Sequence, residues 1–281
     1  MSYFESIEWA LAYSFLIALC VGSFLNVVIH RLPIMMEKEW EAMCNNQEST
    51  QSEKFNLSYP ASTCPKCNHR IRWYENIPLF SYIFLRGRCS ACKVHIPLRY
   101  PFVELLSALS VTFSIYVFGF NEIGLAVALL TWGLICLIFI DIDHQLLPDS
   151  ITLPLLWLGI LVNNFNFFTT LESAIYGAMA GYLSLWSVYW IFKLITGKEG
   201  MGYGDFKLLA ALGAWVGLSQ IPLIILLSSL VGAIFGIAMI LLRNHQHQTP
   251  IPFGPYLAIA GWIALIWGEN ITHTYLQFIG L

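Results

Sequence analysis

Charged residues are scarce in this sequence. Only 11% of its 281 residues are Asp, Glu, Lys or Arg, whereas 57% are hydrophobic. A typical soluble domain carries about 25% charged residues, and a chain of this length cannot bury so much apolar surface in a water-exposed fold. The composition therefore excludes an ordinary soluble protein and predicts that lipid surrounds most of the chain.

Basic residues are nearly absent from the second part of the chain. Ten of the 14 Lys and Arg residues lie between Arg31 and Arg99, and only four follow. No basic segment precedes the first apolar run, at about 9–29, so we expect a membrane span there and no cleavable signal peptide. Because positively charged loops stay in the cytoplasm, the segment 31–100 is predicted to be cytoplasmic.

Apolar runs that could cross a membrane occur eight times. A spanning helix needs roughly 20 apolar residues, and the fourth, sixth and eighth runs are shorter than this. The predicted spans are 9–29, 101–119, 124–141, 151–165, 172–195, 206–218, 221–242 and 255–270. With the N-terminus outside, this topology places every Lys and Arg within or beside a cytoplasmic segment.

The predicted fold is an all-α polytopic membrane protein with about eight transmembrane helices. It has three parts: a first transmembrane helix (1–30), a cytoplasmic module with a linker (31–100) and a transmembrane core (101–281). Residues 37–58 lack a regular apolar period, which favours a mobile linker or a loose helix. We find no internal repeat in the sequence.

Four of the seven cysteines form two pairs of the C-x2-C type. Cys64 and Cys67 are separated from Cys89 and Cys92 by 21 residues. This spacing is typical of a tetrahedral four-thiolate zinc site, and a cytoplasmic segment keeps its thiols reduced. Four protein ligands leave no open position, so we expect a structural zinc ion. The alternative is a set of free thiols or a redox pair.

Two groups of carboxylates lie at the ends of apolar runs. Asp141, Asp143 and Asp149 follow the third run, and Asp205 follows Gly202 and Gly204 before the sixth. Ionisable groups at membrane depth are rare and usually functional. Two carboxylates close together share one proton, so that one member can take a proton from water while the other donates to a scissile carbonyl. The pattern therefore favours hydrolysis.

Simpler interpretations of these carboxylates exist. Asp149 could cap the helix that begins near Ile151, and Asp205 could cap the helix that follows it. Asp143 and His144 could be ordinary loop residues at the membrane surface. A nucleotide-binding loop at Gly200–Gly204 is disfavoured, because no strand precedes it and Asp205 would repel phosphate.

With these motifs in view, nearly the whole chain resembles the type IV prepilin peptidases. The resemblance rests on the two cysteine pairs, the two aspartate segments, Gly22–Val27, His30–Pro33, Glu75–Pro78 and Pro250–Pro255. It implies an aspartic endopeptidase of the Gly-x-Gly-Asp intramembrane type in the bacterial inner membrane, with its active site facing the cytoplasm. Asp141 and Asp205 match the catalytic pair. Asp143, Asp149, Gly202 and Gly204 match supporting positions.

The resemblance also implies what the protein acts on. Its substrates would be the prepilins and pseudopilins of type IV pili and type II secretion, whose short basic leaders are removed after a glycine. Methylation of the new N-terminal amine with S-adenosylmethionine would follow. Membrane lipid is an expected partner and nucleic acid is not.

The methyl-transfer site is the least specified part of this hypothesis. Glu75, Asn76 and Gly87 in the cysteine-bearing segment are weak candidates for binding the amine or S-adenosylmethionine. The alternative is that they only support the zinc module. Two rival functions are an ion-coupled transporter, in which Asp141 and Asp205 bind cations, and a membrane scaffold whose zinc module docks partners.

Overall fold

Helices make up all the long regular elements of the computed structural model, which describes residues 3–44, 55–198, 200–242 and 252–279. Within these residues the nine α-helices are α1 (Tyr3–Cys44), α2 (Phe80–Phe84), α3 (Arg99–Phe118), α4 (Glu122–His144), α5 (Asp149–Asn163), α6 (Leu171–Thr196), α7 (Tyr203–Val216), α8 (Ile221–Leu242) and α9 (Gly254–Ile279). Short 3₁₀ turns cover Trp73–Asn76 and Leu218–Gln220. The all-α prediction is confirmed for the described residues.

Five of the described helical segments are long and apolar enough to cross a membrane. They are Ile7–Cys44, Arg99–Phe118, Glu122–His144, Leu171–Thr196 and Leu218–Ala238. The chain is therefore a membrane protein, and each of these five segments overlaps a predicted span.

The other three predicted spans, 151–165, 206–218 and 255–270, lie in α5, α7 and α9. Helices α5 and α7 have 15 and 14 residues, so each is only about 20 Å long at 1.5 Å per residue. A bilayer core is about 30 Å thick. Helix α9 has 26 residues, but its second half carries polar residues such as Glu269 and His273. The count of eight spans stays a prediction.

Helix α1 extends well past the predicted end of the first transmembrane helix at residue 30. It continues through Pro33 to Cys44, so the first part of the predicted linker 37–58 is helical, while residues 45–54 lie outside the described residues. The buried Arg31 donates hydrogen bonds to the carbonyls of Asn56 at 2.9 Å and Pro60 at 2.6 Å. These bonds fix the start of the cysteine-bearing module to α1.

The described chain divides into two compact units, Met1–Cys136 and Leu137–Leu281. In the first unit, α1 packs against α3 around a cluster of small and branched side chains: Ala18, Leu19, Ala108, Val111, Ile115 and Ala128. The Ser107 hydroxyl donates to the Ala18 carbonyl at 2.7 Å, which joins α3 directly to the α1 backbone.

Helix α7 is the buried centre of the second unit. Every residue from Asp205 to Val216 is buried except Lys207, and α5, α6 and α9 pack around the helix. At its C-terminal end the Trp215 indole donates to the Leu155 carbonyl at 2.9 Å, and the Asn163 amide donates to the Ala214 carbonyl at 2.8 Å. These bonds fix α7 against α5, which in turn positions the carboxylate at its opposite end.

Candidate active site and metal centre

Asp141 lies one turn before the end of α4 and is buried, with 5% of its surface exposed. Its Oδ2 atom accepts a hydrogen bond from the backbone N–H of Gly254 at 3.0 Å. Gly254 is the first residue of α9, and a Cβ atom there would lie 2.6 Å from the same oxygen. The lack of a side chain at Gly254 lets this backbone approach Asp141 closely, and the start of α9 orients the carboxylate.

Asp205 is the third residue of α7 and is also buried. Its backbone N–H donates to the Gly202 carbonyl at 3.3 Å. Gly202 is the N-cap of α7, with extended backbone angles of φ −83° and ψ 150°. The alternative that Asp205 caps this helix is therefore wrong. The carboxylate instead lies in the first turn, where the helix dipole favours negative charge.

The structure brings Asp141 and Asp205 into one buried cluster. Their carboxylates are close enough for the two negative charges to interact. Leu147 packs between the backbone of Gly204, which is next to Asp205, and the backbone of Gly254, which binds Asp141. A Cβ on Gly204, next to Asp205, would lie 2.8 Å from Leu147 Cβ. A Cβ on Gly254 would lie 3.1 Å from Leu147 Cδ2. The loop after α4 therefore sets the spacing between α7 and the start of α9.

Asp143 and Asp149 lie outside this buried cluster. Asp143 is exposed on the last turn of α4. Asp149 begins α5, and both of its carboxylate oxygens are 2.7 Å from the Lys207 ammonium on α7. The expectation that Asp149 caps the following helix is wrong, because the cap residue is Pro148 and no side-chain capping bond forms. Lys207 was not predicted, since its partner is 58 residues away in sequence.

A buried pair of carboxylates can carry out general acid–base chemistry without a bound metal. Burial disfavours two adjacent negative charges, so one carboxylic acid keeps its proton while its partner is ionised. The ionised group can then accept a proton from water, and the protonated one can donate a hydrogen bond to a carbonyl oxygen. The Gly254 N–H supplies a fixed hydrogen bond to one member of the pair.

The four predicted zinc ligands converge in the first unit. The sulfur atoms of Cys64, Cys67, Cys89 and Cys92 all lie within 4.8 Å of one another. Two of the separations are 3.8 Å and 3.9 Å. Zinc–thiolate bonds of about 2.3 Å in a tetrahedron require sulfur atoms about 3.8 Å apart. The cysteines are free and not paired in disulfides, so this geometry fits a four-thiolate zinc ion.

Backbone N–H groups favour the thiolate form of two of these ligands. The amides of Lys66 and Cys67 lower the pKa of the Cys64 thiol to about 6. The amides of Cys92 and Ala91 likewise lower the pKa of Cys89. Because zinc binds the thiolate and not the thiol, these amides favour metal binding by the first cysteine of each loop, whereas the neighbouring cysteines raise the pKa of Cys67.

The two cysteine loops are structural copies of each other, offset by 25 residues. The first knuckle spans 62–71 and the second 87–96, and each is closed by a bond from an isoleucine N–H, 2.9 Å from Ile71 to Ser62 and 2.8 Å from Ile96 to Gly87. Each second cysteine is followed by a residue with positive φ, 54° at Asn68 and 60° at Lys93. The expectation that the chain contains no internal repeat is therefore wrong for these two knuckles. Aligning the two cysteine pairs would have revealed the shared isoleucine.

The weak methyl-transfer candidates lie between and within the knuckles. Glu75 Oε2 accepts from the Arg72 N–H at 2.8 Å and lies 3.4 Å from His69 Nε2. Bonds from Arg72 and Ser90 hold the pKa of Glu75 below its usual range. Gly87 has φ +64°, and a Cβ there would lie 2.7 Å from the Tyr82 hydroxyl oxygen. Both residues therefore shape the module, while Asn76 is exposed.

Two family models match most of the chain. Residues 16–118 match the bacterial peptidase A24 N-terminal domain, and residues 128–237 match the type IV leader peptidase family. The boundary between these matches, at 119–127, precedes the boundary between the two compact units at residues 136 and 137. No solved structure matches the chain.

Curated relatives match the chain along nearly its whole length. A prepilin leader peptidase/N-methyltransferase of Pseudomonas aeruginosa is 60% identical over 269 residues, covering 94% of this chain and 93% of that protein. Proteins of the same description from Aeromonas salmonicida and Dichelobacter nodosus are 59% and 51% identical, with the same two coverages.

Proposed function

Because the chain belongs to the type IV leader peptidase family, we propose that it is a prepilin leader peptidase and N-methyltransferase. It cleaves the short basic leader from prepilins and pseudopilins after a glycine and then methylates the new N-terminal residue. Relatives described by both activities cover 94% of the chain at 51–60% identity. The peptidase activity has a specific candidate site, whereas the methyltransferase activity rests on this relationship.

The buried cluster of Asp141 and Asp205 is the observation that supports the peptidase assignment most directly. We assign the two carboxylates as the catalytic pair. The ionised member takes a proton from a water molecule, whose oxygen attacks the carbonyl carbon of the leader glycine. The protonated member hydrogen-bonds the carbonyl oxygen and then supplies the proton that the departing amine needs, so the peptide C–N bond breaks with net addition of one water.

Supporting roles follow from the contacts around the pair. Gly254 orients Asp141 through its N–H, and Gly204 allows Leu147 to pack beside Asp205. Gly202 caps α7. Asp149 acts indirectly, since its contact is with Lys207 and not with the carboxylate cluster. Asp143 is exposed and has no assigned role in catalysis.

The four cysteines are proposed to hold one structural zinc ion. The cysteine ligands would fill all four positions of a tetrahedron, so the metal would stabilise the two knuckles and supply no catalytic water. The module has few buried apolar side chains to stabilise it otherwise, because among residues 55–98 only Cys64, Gly87 and Cys89 are buried.

S-adenosylmethionine is the proposed methyl donor. Glu75, Asn76 and Gly87 stay the candidates for its site, with Asn76 the exposed member of the three. Since Glu75 and Gly87 also hold the knuckles together, substitutions there must be checked for zinc content before any loss of methylation is assigned to the cofactor.

The proposed location is the bacterial inner membrane, with both aspartates near the cytoplasmic surface. The basic residues between Arg31 and Arg99 support this orientation. Basic leaders of the substrates would then meet the active site on the side where they are made. A cysteine introduced at Ser52, a position outside the described residues, should react with an impermeant reagent added from the cytoplasmic side only.

One incubation tests both activities. The purified full chain is mixed with a prepilin peptide and S-adenosylmethionine labelled in its methyl group. We expect a shortened peptide whose new N-terminus carries the label. An intact peptide after incubation with the folded, membrane-reconstituted protein would contradict the peptidase proposal, and a shortened peptide without label would contradict the methyltransferase proposal alone.

A further inference from the structure

The short helix α2 exposes three large apolar side chains. Phe80, Ile83 and Phe84 are 56%, 71% and 84% exposed. They form one turn of a five-residue helix in the cysteine-bearing module. Exposed apolar side chains that lie next to one another usually mark an interaction surface. The position of α2 beside membrane-spanning helices indicates which kind of partner covers these side chains.

The residue before α2 reaches into the membrane-spanning part of the first unit. The Leu79 N–H donates to Glu104 Oε2 at 2.9 Å, and Ser23 of α1 also hydrogen-bonds this carboxylate. The Leu79 side chain packs against the apolar cluster that contains Ala18 and Ala108. Glu104, which binds the Leu79 N–H, lies five residues into α3, about 8 Å along that helix at 1.5 Å per residue. The start of α2 is therefore beside lipid-embedded helices and not beyond their ends.

Most of the backbone N–H groups in this segment have a hydrogen-bond partner. An unpaired N–H group in the hydrocarbon core costs several kcal/mol, so backbone there must be internally bonded. Backbone N–H groups with a partner are those of Leu79, Phe80, Ser81, Ile83, Leu85, Arg86 and Gly87. Pro78 has no N–H group to satisfy. The segment can enter a bilayer without leaving these donors unpaired.

Leu79 holds an uncommon backbone conformation that supports a fixed structure. Its φ of 58° and ψ of −48° lie outside the regions that non-glycine residues usually adopt, and such strain persists only where the surroundings enforce it. The hydrogen bond to Glu104 and the packing of the partly buried Leu79 side chain against the α1–α3 cluster enforce this conformation. The turn at Leu79 therefore fixes the orientation of α2 relative to α3.

Two exposed basic residues follow α2 directly. Arg86 and Arg88 come two and four residues after Phe84, and both side chains are exposed. Aromatic side chains followed by arginine are the arrangement found where a protein meets a bilayer surface, with rings among the acyl chains and guanidinium groups at anionic headgroups. Basic residues near such a surface are attracted to its anionic lipids.

We propose that Pro78–Phe84 is a re-entrant membrane anchor. Its three apolar side chains insert into the leaflet next to the cysteine module, and Arg86 and Arg88 bind anionic phospholipid headgroups. The anchor holds the zinc knuckles against the bilayer, at a fixed height beside α1 and α3. This inference concerns the first unit and does not depend on the function of Asp141 or Asp205.

Depth-dependent fluorescence quenching tests the anchor in the full chain. A fluorescent amino acid is placed at Phe84 and, as a control, at the exposed knuckle residue Lys66. Each protein is reconstituted into nanodiscs of phosphatidylcholine mixed with phosphatidylglycerol. We expect brominated acyl chains to quench position 84 severalfold more than position 66, and aqueous iodide to show the reverse order. Equal iodide quenching at the two positions would overturn the proposal.

A second comparison tests the headgroup contact. The double variant Arg86→Gln/Arg88→Gln, carrying the probe at Phe84, should show weaker acyl-chain quenching than the parent in discs that contain phosphatidylglycerol and change little in discs of phosphatidylcholine alone. Unchanged quenching in both kinds of disc would show that Arg86 and Arg88 do not bind anionic headgroups. If position 84 is accessible to iodide until a prepilin is added and is protected afterwards, the surface binds substrate and the lipid anchor is wrong.

Discussion

The cysteine module and the helices around α7 are stabilised in different ways. In the module, few apolar side chains are buried and two backbone knuckles bring four sulfur atoms to within 4.8 Å of one another. Around α7, apolar side chains are buried along almost the whole helix, and the carboxylate cluster lies at its first turn. One region has a geometry that a metal ion would maintain, and the other has a geometry that close helix packing maintains.

The two regions should therefore lose their structure under different perturbations. Removing a metal ion abolishes most of the stability of a module with little core, but it removes nothing from a packed helical bundle. Adding one methyl group in a tight helix contact disrupts packing, but it leaves a metal site intact. A suitable substitution should therefore disrupt one region and leave the other intact.

Loss of a zinc ligand should have the largest effect. Zinc supplies about 10 kcal/mol or more to structural sites, so Cys64→Ser should abolish zinc binding and make residues 55–98 sensitive to protease. Cys44→Ser is the matched control, because Cys44 ends α1 and is not part of the four-sulfur cluster. Zinc content by elemental analysis and limited proteolysis measure both effects. A Cys64→Ser protein with one zinc per chain would contradict the assignment.

The two glycines before Asp205 should respond very differently to one added methyl group. A Cβ on Gly204 would lie 2.8 Å from Leu147 Cβ, whereas the nearest atoms to a Cβ on Gly202 are 4.0 Å away. Overpacking costs about 1–3 kcal/mol, which corresponds to a rate loss of about ten- to a hundredfold if the displacement reaches Asp205.

Leader cleavage by Gly204→Ala should therefore fall by about that factor, while Gly202→Ala stays near the unmodified rate. Zinc content should be unchanged in both proteins, because the cysteines lie in the other unit. Equal losses in the two variants would show that Leu147 does not set the spacing of the site.

The Asp149–Lys207 ion pair should have the smallest effect. Its groups are 52% and 31% exposed, and exposed ion pairs contribute about 0.2–1 kcal/mol. Asp149→Asn should therefore slow cleavage by less than about fivefold. Lys207→Gln should have a similar effect, and the double variant should lose little more than either alone. Complete loss of cleavage in Asp149→Asn, with folding intact, would make Asp149 a member of the catalytic machinery.

Local sequence patterns predicted the elements that depend on local chemistry. Apolar runs gave the five membrane-capable segments, and the paired C-x2-C motifs gave four cysteines that converge in space. The aspartates at the end of α4 and in the first turn of the buried α7 were likewise visible as carboxylates beside apolar runs. These features depend on periodicity and spacing within a few residues.

Features that depend on distant contacts were not predicted. Pro33 normally favours a helix end, but α1 continues through it, and Arg31 binds carbonyls at least 25 residues later. The bond between Leu79 and Glu104 joins residues 25 positions apart, and the contact between Asp141 and Gly254 joins residues 113 positions apart. No local pattern encodes these pairs, since each forms only when helices pack.

Leader cleavage by the full chain carrying Asp141→Asn or Asp205→Asn, each compared with Asp143→Asn, tests most directly whether the two buried aspartates are the catalytic pair. Asparagine keeps the size of the side chain but cannot accept or release the catalytic proton. We expect either substitution in the buried pair to abolish cleavage while helical content and zinc binding are retained. We expect the Asp143→Asn protein to cleave the leader at nearly the unmodified rate. A folded Asp141→Asn or Asp205→Asn protein that still removes the leader would contradict the catalytic pair.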